Sequence, residues 1–197
     1  MLAPVRLVLV GPPGSGKGTQ GPVIAERLGV PYVSTGEVLR AEVAARTELG
    51  RQVSALLDRG DLVPDDLMVT VVAAALGDHG PAAGRGYVLD GFPRTLVQAL
   101  MVERPGSPLA PSDLVVLITL PDRAVHDRLR RRAEEGRTDD ADPAVIDRRL
   151  AVYREESEPL LHHYRAREAL VTVDGDQPPP EVTEAILAAL AARRHAG

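Results

Sequence analysis

The sequence predicts an α/β fold, a five-stranded parallel sheet covered by helices on both faces, and three observations carry that prediction. Short, near-continuous apolar runs recur five times and alternate with helical spacing, the pattern of strands buried on both faces. The first run ends in a Gly-rich turn, Gly11-Pro-Pro-Gly-Ser-Gly-Lys-Gly-Thr19, that opens a helix. The turn at Asp90 closes another run, so both turns lie at the carboxyl ends of strands, where such sheets bind ligands.

In chain order, Val5 to Val10 reads as a buried strand, and Val23, Ile24 and Leu28 give the helix after Gly16 its apolar spacing. Pro22 falls inside that helix and cannot donate to the Gly18 carbonyl, a cost of about 3 kcal/mol or more, so a kink is expected there. Val30 to Val33 is a short strand, and Ser34-Thr-Gly-Glu37 has capping-box spacing before a helix running to about Ala45. Leu49 to Asp58 and Asp66 to Leu76 read as helices on either side of Gly60-Asp-Leu-Val-Pro64, whose Gly and Pro resist helix continuation. Strands resume at Gly86 to Asp90 and Leu114 to Leu120, each followed by a helix. A last strand, Leu170 to Val173, precedes Pro178-Pro-Pro180 and a helix from about Glu181 to Arg194.

With 197 residues, 44% of them hydrophobic, the chain suits a single domain with small insertions. A net charge of −5 argues against broad attraction to nucleic acid or anionic membrane, so phosphate chemistry must use a local basic cluster. There is no cysteine, which excludes disulfides and Cys-based zinc sites. No apolar run reaches the roughly 20 residues that span a bilayer, and Met1-Leu-Ala-Pro-Val does not read as a signal peptide. A cytoplasmic location is the expectation.

The basic residues comprise twenty-two arginines and a single lysine, Lys17, inside the Gly-rich turn. A loop that wraps backbone N–H groups around an anion accommodates a compact ammonium better than a planar guanidinium, and the helix that follows adds its dipole. The turn is therefore a nucleotide-phosphate site. It departs from the general phosphate-loop pattern in one respect: Gly18 follows the lysine, and the hydroxyl comes one residue later, at Thr19. Asp90, across from this loop, suits a magnesium ion held directly or through water, or else caps its own turn. Phe92-Pro93 stiffens that turn and Arg94 projects from it, its fork matched to phosphate oxygens. Arg128, Arg130, Arg131 and Arg132 lie on one helix candidate, where Arg128 and Arg132 share a face by their four-residue spacing, a pattern that on sequence alone also describes a solvated face. His79, His126, His162 and His163 lack a third ligand at useful spacing and read as solvated rather than metal-binding. Asp139 and Asp140 either orient nearby arginines or mark a solvated turn.

Gly14-Ser-Gly-Lys-Gly-Thr-Gln20 resembles the phosphate loop of adenylate kinases. Ser34-Thr-Gly-Glu-Val-Leu-Arg40 resembles that family's monophosphate-binding segment, and Asp90-Gly-Phe-Pro-Arg-Thr95 with Gln98 resembles its signature motif. Gly60 to Asp65, Asp127 to Asp140 and Val173-Asp-Gly175 extend the likeness over most of the chain. The resemblance implies a P-loop NTPase-like domain over residues 1–197. Its core would be 1–33, 64–131 and 141–197, with a small helical nucleoside-monophosphate-binding insertion at 34–63 and a short lid at 132–140.

By the same resemblance, ATP is bound by Gly14, Ser15, Gly16, Lys17, Gly18, Thr19, Arg128, Arg132 and the main chain at Gln177. AMP is bound by Thr35, Arg40, Asp61, Leu62, Val63, Gly91, Phe92, Pro93, Arg94, Gln98, Arg137 and Arg149, with Thr35 and Gln98 at the adenine. Lys17, Arg94, Arg132, Arg137 and Arg149 surround the transferred group, and Mg²⁺ sits near Thr19 and Asp90 through water, with no zinc. Arg130, Arg131, Arg148 and Arg154 have no such match and read as surface charges. The implied activity is reversible transfer of the γ-phosphoryl of Mg-ATP to AMP, giving two ADP, by a monomer whose only partners are ATP, AMP and ADP. The alternatives are a UMP- or CMP-type kinase and a regulatory nucleotide-binding protein with little catalysis.

Overall fold

The computed structural model describes residues 5–77, 86–136 and 142–195. Among these, five strands and eight helices follow one another as β1 (Arg6–Val10), α1 (Lys17–Leu28), β2 (Tyr32–Ser34), α2 (Thr35–Ala44), α3 (Glu48–Arg59), α4 (Asp65–Leu76), β3 (Tyr87–Asp90), α5 (Leu96–Glu103), β4 (Leu114–Thr119), α6 (Asp122–Glu134), α7 (Pro143–Ala166), β5 (Leu170–Asp174) and α8 (Pro179–His195). The strands form one wholly parallel sheet in the order β2-β3-β1-β4-β5.

Alternation along the strands explains the two layers of core. Val8 and Val10 of β1, Leu89 of β3 and Val115 and Leu117 of β4 join the core that α2, α3, α4, α5 and α7 cover. Leu7 and Leu9, Val88, and Leu114, Val116 and Ile118 point the other way, onto Ile24 of α1 and Val182, Ile186 and Leu190 of α8. Such strands read as continuous apolar runs because neither face meets water. A smaller cluster of Val125, Leu129, Ile146 and Leu150 seats α6 on α7.

The chain steps across β3 in passing from β1 to β2, and across β1 in passing from β3 to β4. The ends of β1 and β3 therefore share a crevice where the chain path diverges, the position such sheets give their ligands. Gln20 in α1 fixes one wall of it. Its amide donates to the Pro179 carbonyl at 2.9 Å and accepts from the Thr183 hydroxyl at 2.6 Å, so a buried polar side chain is satisfied by α8.

Two local expectations differ from what forms. Ser34 is the N-cap residue of α2, yet its side chain makes no capping hydrogen bond. A capping arrangement appears instead at α5, where Thr95 Oγ1 accepts from the Gln98 N–H at 3.1 Å and Gln98 Oε1 accepts from the Arg94 N–H at 2.7 Å. Ser34 also ends β2, paired with Asp90, so its backbone is set by the sheet edge before the helix begins. The second difference is α7, 24 residues long, to which the sequence reading assigns no span. Asp142 caps it by accepting from the Ala144 N–H at 2.8 Å, Pro143 occupies its first turn, and Pro159 lies within it. α1 likewise continues through Pro22 to Leu28.

Candidate active site

The phosphate loop is built by backbone that only glycine adopts readily, with Gly14 at φ 81° and Gly16 at φ 100°. The Gly16 carbonyl is already used, accepting from the N–H groups of Thr19 and Gln20 at 3.0 Å each. Among the described residues, no protein acceptor takes the N–H groups of Gly14, Gly16, Lys17 or Gly18. Backbone donors at a helix start that have no protein partner are matched to an anion. Lys17 folds over this cradle, donating from Nζ to the Gly11 carbonyl at 2.7 Å and the Pro12 carbonyl at 3.0 Å.

A cleft of about 820 Å³ opens above the loop, a size that suits nucleotide-scale ligands. Its walls include Arg40, Arg94, Arg128, Arg132 and Arg149 together with Asp90. Burial lowers the Lys17 pKa to about 8; Asp90 opposes the shift, while Arg94, Arg132 and Arg149 add to it. Burial in the cleft also lowers the pKa of Arg94, against Asp90 and with Arg149 and Arg40. The cations thus repel one another across the cleft, a strain that bound phosphates relieve.

The Asp90 turn closes the opposite side. Arg94 Nε donates to the Gly91 carbonyl at 2.8 Å, and the buried Thr35 hydroxyl lies 3.2 Å and 3.0 Å from the carbonyls of Asp90 and Gly91. Thr35 therefore ties α2 to the turn. Gln98 is 1% exposed, and its amide donates to Asp65 Oδ1 at 2.9 Å. Since the Arg94 N–H can only donate and the Asp65 carboxylate accepts, these partners fix which end of the amide is which.

The expected site residues fall into three groups. Gly14, Ser15, Gly16, Lys17, Gly18, Thr19, Arg40, Leu62, Gly91, Pro93, Arg94, Arg128, Arg132, Arg149 and Gln177 all line the cleft. Thr35, Val63, Phe92 and Gln98 are buried behind its wall, and Asp61 sits at its margin, held by Arg59 at 2.9 Å and Arg148 at 3.0 Å. Arg137 lies outside the described residues, as do Asp139, Asp140 and His79. Arg128 donates to the Gly175 carbonyl at 2.8 Å, and Gln177 to Asp174 at 3.0 Å, so both stand where β5 meets the loop.

The sequence reading overlooks several neighbours. Arg131, read as a surface charge, is exposed and borders the cleft; Arg148, read likewise, reaches Asp61 from α7 beside Arg59. Val152, Tyr153, Glu156 and Ser157 of α7 complete one wall. Tyr32 and Asp65 hold Asp90 and Gln98 respectively. The signal for Gln98 was available, because Thr95-Leu-Val-Gln98 has the spacing of a capping box. His163 is not solvated as expected: it meets Glu103 at 3.1 Å and is half-buried, whereas His126 and His162 are exposed.

For magnesium the donor chemistry fits. The exposed Thr19 hydroxyl and the Asp90 carboxylate offer oxygen only, and magnesium keeps several waters and takes few protein ligands. Among the described residues there is no group of three or more His, Asp or Glu side chains able to hold a metal by themselves. No described helix is long and apolar enough to cross a membrane.

A parallel α/β sheet carrying a glycine-lysine phosphate loop, opposed across one cleft by an Asp-Gly-Phe-Pro-Arg turn, defines a nucleotide phosphotransferase. The adenylate kinase family model matches residues 9–169. The chain is 44% identical to an adenylate kinase of Cyanothece sp., over 92% of each chain. It is 45% identical to that of Nocardia farcinica, over 94% of this chain and 99% of the other, and 45% identical to that of Thermus thermophilus, over 93% and 96%. The chain belongs to the adenylate kinase family.

Proposed function

We propose that this chain transfers the γ-phosphoryl of Mg-ATP to AMP, reversibly, giving two ADP. The observation that carries the reading is the pairing, in one cleft, of partnerless backbone donors and Lys17 on the loop with Arg40, Arg94, Arg132 and Arg149 on the other walls. Simple binding of one nucleotide needs an anion site on one side; transfer needs cations on both sides of the moving group.

An oxygen of the AMP phosphate attacks the γ-phosphorus, the bond from that phosphorus to the β–γ bridging oxygen breaks, and ADP leaves with that oxygen. The nucleophile is already ionised, so no general base is required. What the residues supply is alignment, relief of repulsion between two polyanions and exclusion of water. Lys17 and the loop N–H groups hold the donor's phosphates, and Arg40 and Arg94 hold the acceptor's. Arg132 and Arg149, with Arg137, converge on the transferred group. Thr19 and Asp90 would hold a magnesium ion bound with ATP, which would supply neutralisation of the phosphate charge.

Residues 34–63 serve as the monophosphate-binding segment and 132–140 as a short lid on a core of 1–33, 64–131 and 141–197. Thr35 and Gln98 set the adenine preference, with the backbone of Asp61 to Val63, Gly91, Phe92 and Pro93 shaping the pocket. The protein acts as a cytoplasmic monomer. Offering AMP, CMP, UMP and GMP as acceptors beside Mg-ATP tests the reading of the base: AMP alone supports fast turnover, and a preference for a pyrimidine monophosphate overturns it.

A further inference from the structure

We infer that Tyr32 is a positioning residue for Asp90, its hydroxyl holding one carboxylate oxygen so that the other is left to serve the magnesium of the bound nucleotide. The inference rests on the reading of Asp90 given above. Tyr32 Oη lies 3.2 Å from Asp90 Oδ2, and among the described residues no other side chain hydrogen-bonds that carboxylate. The two side chains come from neighbouring strands, β2 and β3, whose register sets Ser34 beside Asp90 and leaves Tyr32 two residues back on the same face.

The contact is built into α1 as well. A Cβ at Gly21 would stand 2.1 Å from Tyr32 Cε2 and 2.9 Å from its Cζ, so the ring occupies the space that any larger residue at 21 would fill. A Cβ at Gly18 would stand 3.8 Å from Asp90 Oδ2 and 3.9 Å from Tyr32 Oη, which sets the pair against the phosphate loop itself. Gly21 and Tyr32 therefore form a matched pair, a missing side chain and the ring that fills its place. A phenol used only for packing would not need its hydroxyl aimed at a carboxylate beside the loop. In this contact the phenol O–H donates and the carboxylate oxygen accepts.

The terminal torsion of an Asp side chain is broad, and a carboxylate that works through water must be oriented by something else. Hydrogen bonds from behind a metal-serving group perform this task, and losing one costs about 10-fold or more in metal affinity. Tyr32→Phe removes the hydroxyl and keeps the ring over Gly21. The test is Mn²⁺ binding, followed by electron spin resonance, to protein saturated with a non-hydrolysable ATP analogue, comparing wild type, Tyr32→Phe and Asp90→Asn, with melting temperatures alongside.

Both variants are expected to weaken Mn²⁺ binding, Tyr32→Phe by about 10-fold, while Tyr32→Phe melts as wild type does. If Asp90→Asn loses the ion and Tyr32→Phe binds it as wild type does, the positioning role is wrong and the reading of Asp90 stands, whatever the variant does to the melting temperature. If Asp90→Asn also binds as wild type does, the reading of Asp90 fails and takes the role of Tyr32 with it.

Discussion

The Asp65 carboxylate receives the Gln98 amide at 2.9 Å and the Thr95 hydroxyl at 3.0 Å, both on the same oxygen, Oδ1. One residue at the start of α4 thereby holds both the cap of α5 and the amide assigned to adenine recognition. Asp65→Ala leaves two donors without their partner, a cost of about 1–3 kcal/mol. The expected result is a lower melting temperature and a KM for AMP raised about tenfold, equivalent to ~1.4 kcal/mol, with the KM for ATP unchanged. Steady-state kinetics with each substrate varied in turn would show it, and an equal rise in both constants would point to general loosening instead.

Lys17 gives ATP binding a pH dependence whose sign follows from its free-state pKa of about 8. Nucleotide phosphates favour the charged ammonium, so binding raises that pKa. Below about 8 the amine is already charged and binding is indifferent to it; above that value binding takes up a proton and affinity falls as pH rises. Calorimetric titration near pH ~9 in buffers of different ionisation enthalpy should register the uptake, and Lys17→Met should abolish it. Buffer-independent heats in the wild type would rule the linkage out.

Arg94 is exposed on the cleft wall, where it donates to the Gly91 carbonyl and meets the charges of Arg149 and Arg40. Arg94→Ala should lower kcat on the order of 10² to 10³ where the guanidinium stabilises developing charge, with the circular dichroism melt preserved. Unchanged turnover would remove Arg94 from the mechanism.

Stability is expected to follow burial rather than charge. Leu9 is fully buried between the sheet and the α1–α8 layer, and Leu9→Ala should cost about 2–5 kcal/mol. Arg148 meets Asp61 at 3.0 Å in solvent, and Arg148→Ala should leave the thermal melt where it was. A large loss from the arginine change would mean that the contact between 61 and α7 supports the fold.

What was legible in the sequence was what lies close together in it. The phosphate loop is a contiguous run whose Gly and Lys each have a conformational or electrostatic reason, and the five strands show themselves because both faces are buried. α7 was harder, since Pro143, Pro159 and its many charges mask an apolar face formed by Ile146, Leu150, Leu160, Leu161 and Tyr164. The two capping sequences, Ser34 to Glu37 and Thr95 to Gln98, are alike in spacing, and only the strand that ends at Ser34 separates the one that closes from the one that does not. The hydroxyl of Tyr32 on Asp90 joins residues 58 positions apart and was not legible, because nothing in a single chain marks Gly21 as the space left for that ring.

The central claim is phosphoryl transfer between two nucleotides in one cleft, and the direct measurement is ADP formation from Mg-ATP plus AMP by wild type and by Lys17→Met. Rapid ADP formation in the wild type, dependent on AMP and lost in the variant, is the predicted result. ATP binding with no ADP formed from any monophosphate would contradict it and leave a protein that binds nucleotide without transferring the phosphoryl group.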